Sequence, residues 1–133
     1  MKIIYKKNIA FVLLVCFCLV IFYFSNQDGA RSGELSNNLF IRKLAHISEY
    51  FILACLSFNF FVNYFTLKTN KNYTKVLVIS FFFCLLYAIS DEVHQTFIPY
   101  RSGTYKDVLI DSVGIFLGIF FAKHFHKFLF KTT

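Results

Sequence analysis

Four long apolar runs separated by short polar stretches set the pattern of this chain. They cover about residues 8–24, 44–66, 76–98 and 107–123, each near the roughly 20 residues a helix needs to cross a hydrocarbon core of about 30 Å. The pattern predicts an all-α fold: an integral membrane bundle of four transmembrane helices, in a single domain over residues 1–133. Helix is the only option, because four spans cannot close a barrel and lipid offers no partner to an unpaired backbone group. Tyr23, Tyr50, Tyr64, Tyr73, Tyr100 and Tyr105 fall near the proposed ends, where interfacial aromatics sit. The first run has the basic start of a signal peptide but is longer than the usual apolar region and lacks a nearby small-residue cleavage site, so it is expected to remain as the first span.

Polar residues inside the runs are not scattered. In the third, Ser80, Cys84, Tyr87 and Asp91 share one helical stripe that His94 and Gln95 continue, with Glu92 about 100° to one side. In the fourth, Asp107, Asp111, Gly114 and Gly118 share a stripe, and at the start of the second His46 lies on one face with Glu49 and Tyr50. A stripe of small and polar residues on a membrane helix turns toward other helices rather than lipid. Asp107 also suits a helix N-terminus by its charge alone. Pro99 stops the third helix, the segment I-P-Y-R-S-G-T-Y turns the chain, and residues 25–43 read as a polar loop with a short amphipathic turn.

Composition strengthens the membrane reading, since a small soluble protein that is 57% hydrophobic with twenty Phe could not present enough polar surface to water. The net charge of +7 raises nucleic acid as a partner, but the basic residues follow the spans instead of forming one patch. Lys2, Lys6, Lys7, Lys68, Lys71, Lys75, Lys123, Lys127 and Lys131 mark one side as cytoplasmic by the positive-inside rule, which places both termini inside and two loops outside. Arg31, Arg42, Lys43, Arg101 and Lys106 fall on the other side, with all seven acids: Asp28, Glu34, Glu49, Asp91, Glu92, Asp107 and Asp111. Cys16, Cys18, Cys55 and Cys84 lie within spans without zinc-type spacing and read as small apolar packing residues.

An antiparallel bundle brings the start of the second span, the end of the third and the start of the fourth to one depth. The resulting site would hold His46, Glu49, Asp91, Glu92, His94, Gln95, Arg101, Asp107 and Asp111. Its five carboxylates need partners, which Arg42, Lys43, Arg101 and a protonated His46 could supply, as could a bound cation. Two readings stay open: acid–base chemistry or cation binding by Asp91 and Glu92 with His46, and an ion-pair network that fastens three helices. Arg101 suits an anionic headgroup, because a guanidinium fork matches phosphate.

The motifs R-K-L-A-H-I-S-E-Y, S-D-E-V-H-Q-T-F-I-P-Y-R and D-V-L-I-D-S-V-G-I-F-L-G, in that order, resemble those of the VanZ-like family of small bacterial membrane proteins. F-S-N-Q with Ser32 and Ser36 is similar to the family pattern after the first span. The resemblance implies that His46, Glu49, Tyr50, Asp91, Glu92, Gln95, Arg101, Asp107 and Gly114 are the family's polar and glycine signature. This chain departs from it at Asn26, where a second Ser is frequent, at Tyr100, where Gly is frequent, and at Asp111, where Asn is common.

The family implies low-level resistance to the lipoglycopeptide teicoplanin in Gram-positive bacteria, hence a multi-pass plasma-membrane protein with an extracytoplasmic functional face. Its implied partners are the bilayer, a lipid-linked envelope substrate or the drug itself. The site residues so assembled are His46, Glu49, Asp91, Glu92, Gln95, Asp107 and Asp111 for catalysis and Arg101, Tyr50 and Lys43 for substrate, with metal and cofactor unassigned. Enzyme, non-catalytic envelope-lipid or drug binder, and proton- or ion-coupled transporter remain the three classes.

Overall fold

The computed structural model describes residues 2–27, 39–65 and 71–130, with side chains over 7–27, 40–65 and 73–126. Four helices account for nearly all of them: α1 (Lys2–Ser25), α2 (Leu39–Phe65), α3 (Lys71–Gln95) and α4 (Tyr105–Phe130). Each is long and apolar enough to cross a membrane, over Lys7–Ser25, Phe40–Phe65, Tyr73–Gln95 and Tyr105–His126. The described residues contain no strand. Arg31, Ser32, Ser36, Asp28 and Glu34, expected in the first polar loop, lie outside the described residues.

Helices α1 and α3 begin at Lys2 and Lys71, six and five residues before the expected spans, and three further boundaries differ for a visible reason. Helix α2 starts at Leu39, so Arg42 and Lys43 stand on a helix rather than in the preceding loop. Helix α3 ends at Gln95 instead of running to 98, because Pro99 has no N–H to give the Gln95 carbonyl. That carbonyl accepts from Ile98 instead, and Thr96 and Phe97 bond three residues back in the same tight fashion. Helix α4 runs on to Phe130, beyond the apolar stretch, because nothing in K-H-F-H-K-F-L-F breaks a helix.

Helix α2 is the hub and touches all three others, most extensively α4, while α1 packs mainly on α2. Each helix buries one stripe. Along α1 it is Ala10, Leu14, Ile21 and Ser25, with Phe17 and Cys18 packed partly against the same core, while Phe11, Leu19 and Phe22 are exposed as lipid-facing residues are. Between helices in lipid there is little hydrophobic drive, so close contact has to come from packing. Gly114 and Gly118 supply it between α4 and α2. A Cβ on Gly114 would enter the Ile47 carbonyl oxygen, and one on Gly118 would enter the Phe51 carbonyl oxygen and come within 2.9 Å of Ala54 Cβ.

The opposite end from the polar cluster is closed by aromatic and basic contacts. Tyr73 pairs with His126 at 2.9 Å, and the Lys7 ammonium stands 4.0 Å over the Tyr64 ring. The four cysteines are free thiols; Cys84 is buried in the main core beside Tyr50, Leu53 and Ala88.

Candidate functional site

The end of α1, the start of α2, the end of α3 and the start of α4 meet at one end of the bundle, and the loop after α3 folds over them. That loop is shaped by two positions. Arg101 N–H closes a turn on the Ile98 carbonyl, with Pro99 and Tyr100 between them, and Tyr100 has φ = 56°. A positive φ at the third residue of a Pro-led turn is the type II geometry, which glycine adopts without penalty. Gly103 then lies so close to α3 that a Cβ would enter the Glu92 carbonyl oxygen. This approach sets the Thr104 N–H 2.9 Å from Glu92 Oε2. Thr104 also caps α4: its hydroxyl donates to Asp107 Oδ2 at 2.8 Å and accepts from the Asp107 N–H at 3.3 Å.

Beneath the loop the acids are buried. Asp111 is wholly inaccessible, Glu92 is 4% exposed and Asp91 5%. Gln95 Nε2 donates to Asp91 Oδ2 at 3.0 Å and to Ser25 Oγ at 3.3 Å, which ties α3 to α1. Asp111 is treated differently. His46 Nδ1 stands 3.4 Å from Asp111 Oδ1, the single ion pair among the described residues, yet both Asp111 oxygens and that ring nitrogen lack a hydrogen bond. Glu92 Oε1 and the Tyr50 hydroxyl are likewise buried without one. Burying acceptors with no donor is costly, several kcal/mol for a charged group, so these atoms mark where the bundle does not satisfy itself.

Cations crown this cluster. Arg101 donates from Nη2 to the Phe24 carbonyl at 3.2 Å, at the C-terminal end of α1 where positive charge is favoured, and its Nε is buried without a partner. Burial and then the neighbouring Arg42 cation pull the guanidinium below its ordinary range, while Asp91, Glu49 and Glu92 act the other way. Arg42, Lys43 and Arg101 have no carboxylate within ion-pair distance among the described residues. Two cavities open between them. One of about 130 Å³ is lined by Arg42, His46, Glu49 and Arg101 with the end of α1; another of about 200 Å³ is lined by Arg42, Lys43, His46, Gln95, Arg101 and Asp107. His46 lines both.

The residues expected from sequence thus meet in two layers. His46, Glu92 and Asp111 converge, Asp91 and Gln95 stand beside them toward α1, and Glu49, Lys43, Arg101 and Asp107 line the openings. Tyr50 is buried within the core. His94 turns away, toward Asn26 at 3.3 Å and the Phe22 ring. Sequence reasoning passed over Ser25, Gly103 and Thr104 and used Arg42 only as a charge. The T-Y-K-D capping pattern before α4 was the available signal for Thr104.

These features define a class: a small four-helix protein of membrane type, with a buried polar site under a basic rim at one end of the bundle. Within that class the chain belongs to the VanZ/LLP1 family, whose model matches residues 10–129. Comparison with curated proteins and with solved structures finds no match.

Proposed function

We propose that this protein works at the outer face of a bacterial plasma membrane on an anionic envelope lipid or lipid-linked headgroup, and that this action gives low-level tolerance to teicoplanin. The observation that carries the reading is the pairing of a basic rim with a buried acid layer that does not satisfy itself. Arg42 and Arg101 converge on one cavity with no carboxylate at ion-pair distance among the described residues, above hydrogen-bond acceptors on Asp111 and Glu92 that none of those residues fills.

In this reading Arg101 and Arg42 grip the anion, since guanidinium forks match phosphate oxygens, and Lys43 adds charge from the second cavity. His46, lining both cavities and touching Asp111, sets its imidazole between the bound anion and the buried acids. Glu49 at the cavity and Asp91 in the buried layer act with it, and Gln95 holds Asp91 in place. The outward orientation follows from Lys7, Lys75 and Lys123, which lie toward the other end and would face the cytoplasm.

The test is the melting temperature of the full chain in a neutral detergent, with phosphatidylglycerol or phosphatidylcholine added. A ligand that binds the folded state raises it by mass action. Phosphatidylglycerol is expected to raise it more than phosphatidylcholine, and Arg101→Gln with Arg42→Gln to abolish the difference. Equal shifts with both lipids would contradict anion recognition.

A further inference from the structure

Three side chains from three helices each offer one donor atom to a single point. These are His46 of α2, Glu92 of α3 and Asp111 of α4, and their donor atoms all lie within 4.8 Å of one another. We propose that they bind one divalent transition-metal ion, Zn²⁺ or Mn²⁺, as three protein ligands with a further position open toward the basic cavity. For the ion's use this rests on the headgroup reading above; for the ion's binding it stands by itself.

The geometry supports it in two independent ways. A tetrahedral zinc site with bonds of about 2.0–2.1 Å sets its donors roughly 3.3 Å apart. The separation of His46 Nδ1 from Asp111 Oδ1 is 3.4 Å, an edge of such a tetrahedron rather than a hydrogen bond, and neither atom has a hydrogen bond elsewhere. Glu92 brings its donor atom within 4.8 Å of both, a gap that a bound ion would close by drawing the three side chains together.

The second support is the unfilled acceptors themselves. Asp111 is inaccessible with both oxygens unbonded, and Glu92, 4% exposed, has one oxygen held by the Thr104 N–H and the other buried and free. A backbone donor that fixes one carboxylate oxygen and leaves its twin without a partner is how outer groups orient a metal ligand. Two carboxylates beside an imidazole at one buried point repel each other; a divalent ion offsets both charges at a point where, among the described residues, only a protonated His46 would offer one.

The donor set decides the class of ion. An imidazole with carboxylates and no thiolate suits Zn²⁺ or Mn²⁺, whereas Mg²⁺ and Ca²⁺ prefer all-oxygen sites. Three protein ligands with one position open is the arrangement of ions that act on a substrate, in contrast to closed structural sites. Through His46 the site adjoins both cavities, so an anion gripped by Arg42 and Arg101 lies within reach of the ion as a Lewis acid.

The experiment is metal analysis of the full chain, purified in neutral detergent, dialysed against Zn²⁺ or Mn²⁺ and then freed of loose ions, with Kd from competition against a chromogenic chelator. The expected result is one ion per chain, at least about tenfold weaker binding in His46→Ala, Glu92→Gln and Asp111→Asn, and unchanged binding in His94→Gln, whose ring points to α1. Less than a tenth of an ion per wild-type chain overturns the proposal without recourse to any variant, so a variant that misfolds does not shield it. Equal retention by folded Asp111→Asn and Glu92→Gln also overturns it, because the ion then sits elsewhere. Metal binding without a phosphatidylglycerol effect supports the site and contradicts the headgroup reading; a phosphatidylglycerol effect without metal binding overturns the site and leaves that reading intact.

Discussion

Tyr100 holds a backbone conformation that belongs to glycine, with φ = 56° in a Pro-led turn. A non-glycine residue there costs roughly 1–2 kcal/mol, so Tyr100→Gly is expected to stabilise the chain by about 1 kcal/mol, read as a rise in melting temperature in detergent. A fall would mean that the ring, which is exposed, makes a contact worth more than the strain. Thr104→Ala tests the cap: loss of its hydroxyl should cost about 1 kcal/mol, while the backbone N–H that holds Glu92 is retained, so metal binding should survive a lowered melting temperature. At this scale the sequence disclosed the residues whose chemistry is costly in a membrane, His46, Glu49, Asp91, Glu92 and Asp111, because charge inside an apolar run is conspicuous. It did not disclose which of them lack partners. That depends on which donor the fold delivers to each oxygen, a Gln95 amide to Asp91 and a backbone N–H to Glu92 but none to Asp111.

The contact between α2 and α4 is the element on which the site depends, since it carries His46 to Asp111. Both α4 glycines face carbonyl oxygens of α2, and a side chain at either must push backbone, which cannot rotate away. Gly114→Val is therefore expected to cost about 1–3 kcal/mol or more by overpacking and to weaken metal binding, because it parts the two helices next to the site. Leu117→Ala, on the exposed face of the same helix, should leave both unchanged, and equal damage from the two substitutions would show that helix content rather than close approach is at stake. The glycine stripe was legible as spacing of four residues. Helix ends were less so: hydropathy marks where a span leaves lipid, while capping, the missing Pro99 N–H and the polar helical turns at Arg42 and Lys43 decide where the helix itself starts and stops.

On the scale of the whole molecule, four apolar runs were enough to give a four-helix membrane fold, because lipid allows so few alternatives. The order of packing around α2 was not readable, since every run is apolar on most of its surface and only close-packed stripes distinguish neighbours. Orientation rests on charge. Ser102→Cys, in the exposed loop over the site, is expected to react with a membrane-impermeant maleimide in intact cells; labelling only after the cells are opened would turn the site to the cytoplasm. Work on the envelope by the polar end, as proposed above, differs in its consequences from a polar end that merely fastens helices. The most direct test is the minimum inhibitory concentration of teicoplanin, beside vancomycin, in a sensitive Gram-positive host expressing wild type, His46→Ala or Asp91→Asn at matched membrane levels. Wild type is expected to raise teicoplanin tolerance and both variants to fall back to the level of the empty host. Protection by the variants equal to wild type, or none from wild type, would contradict it.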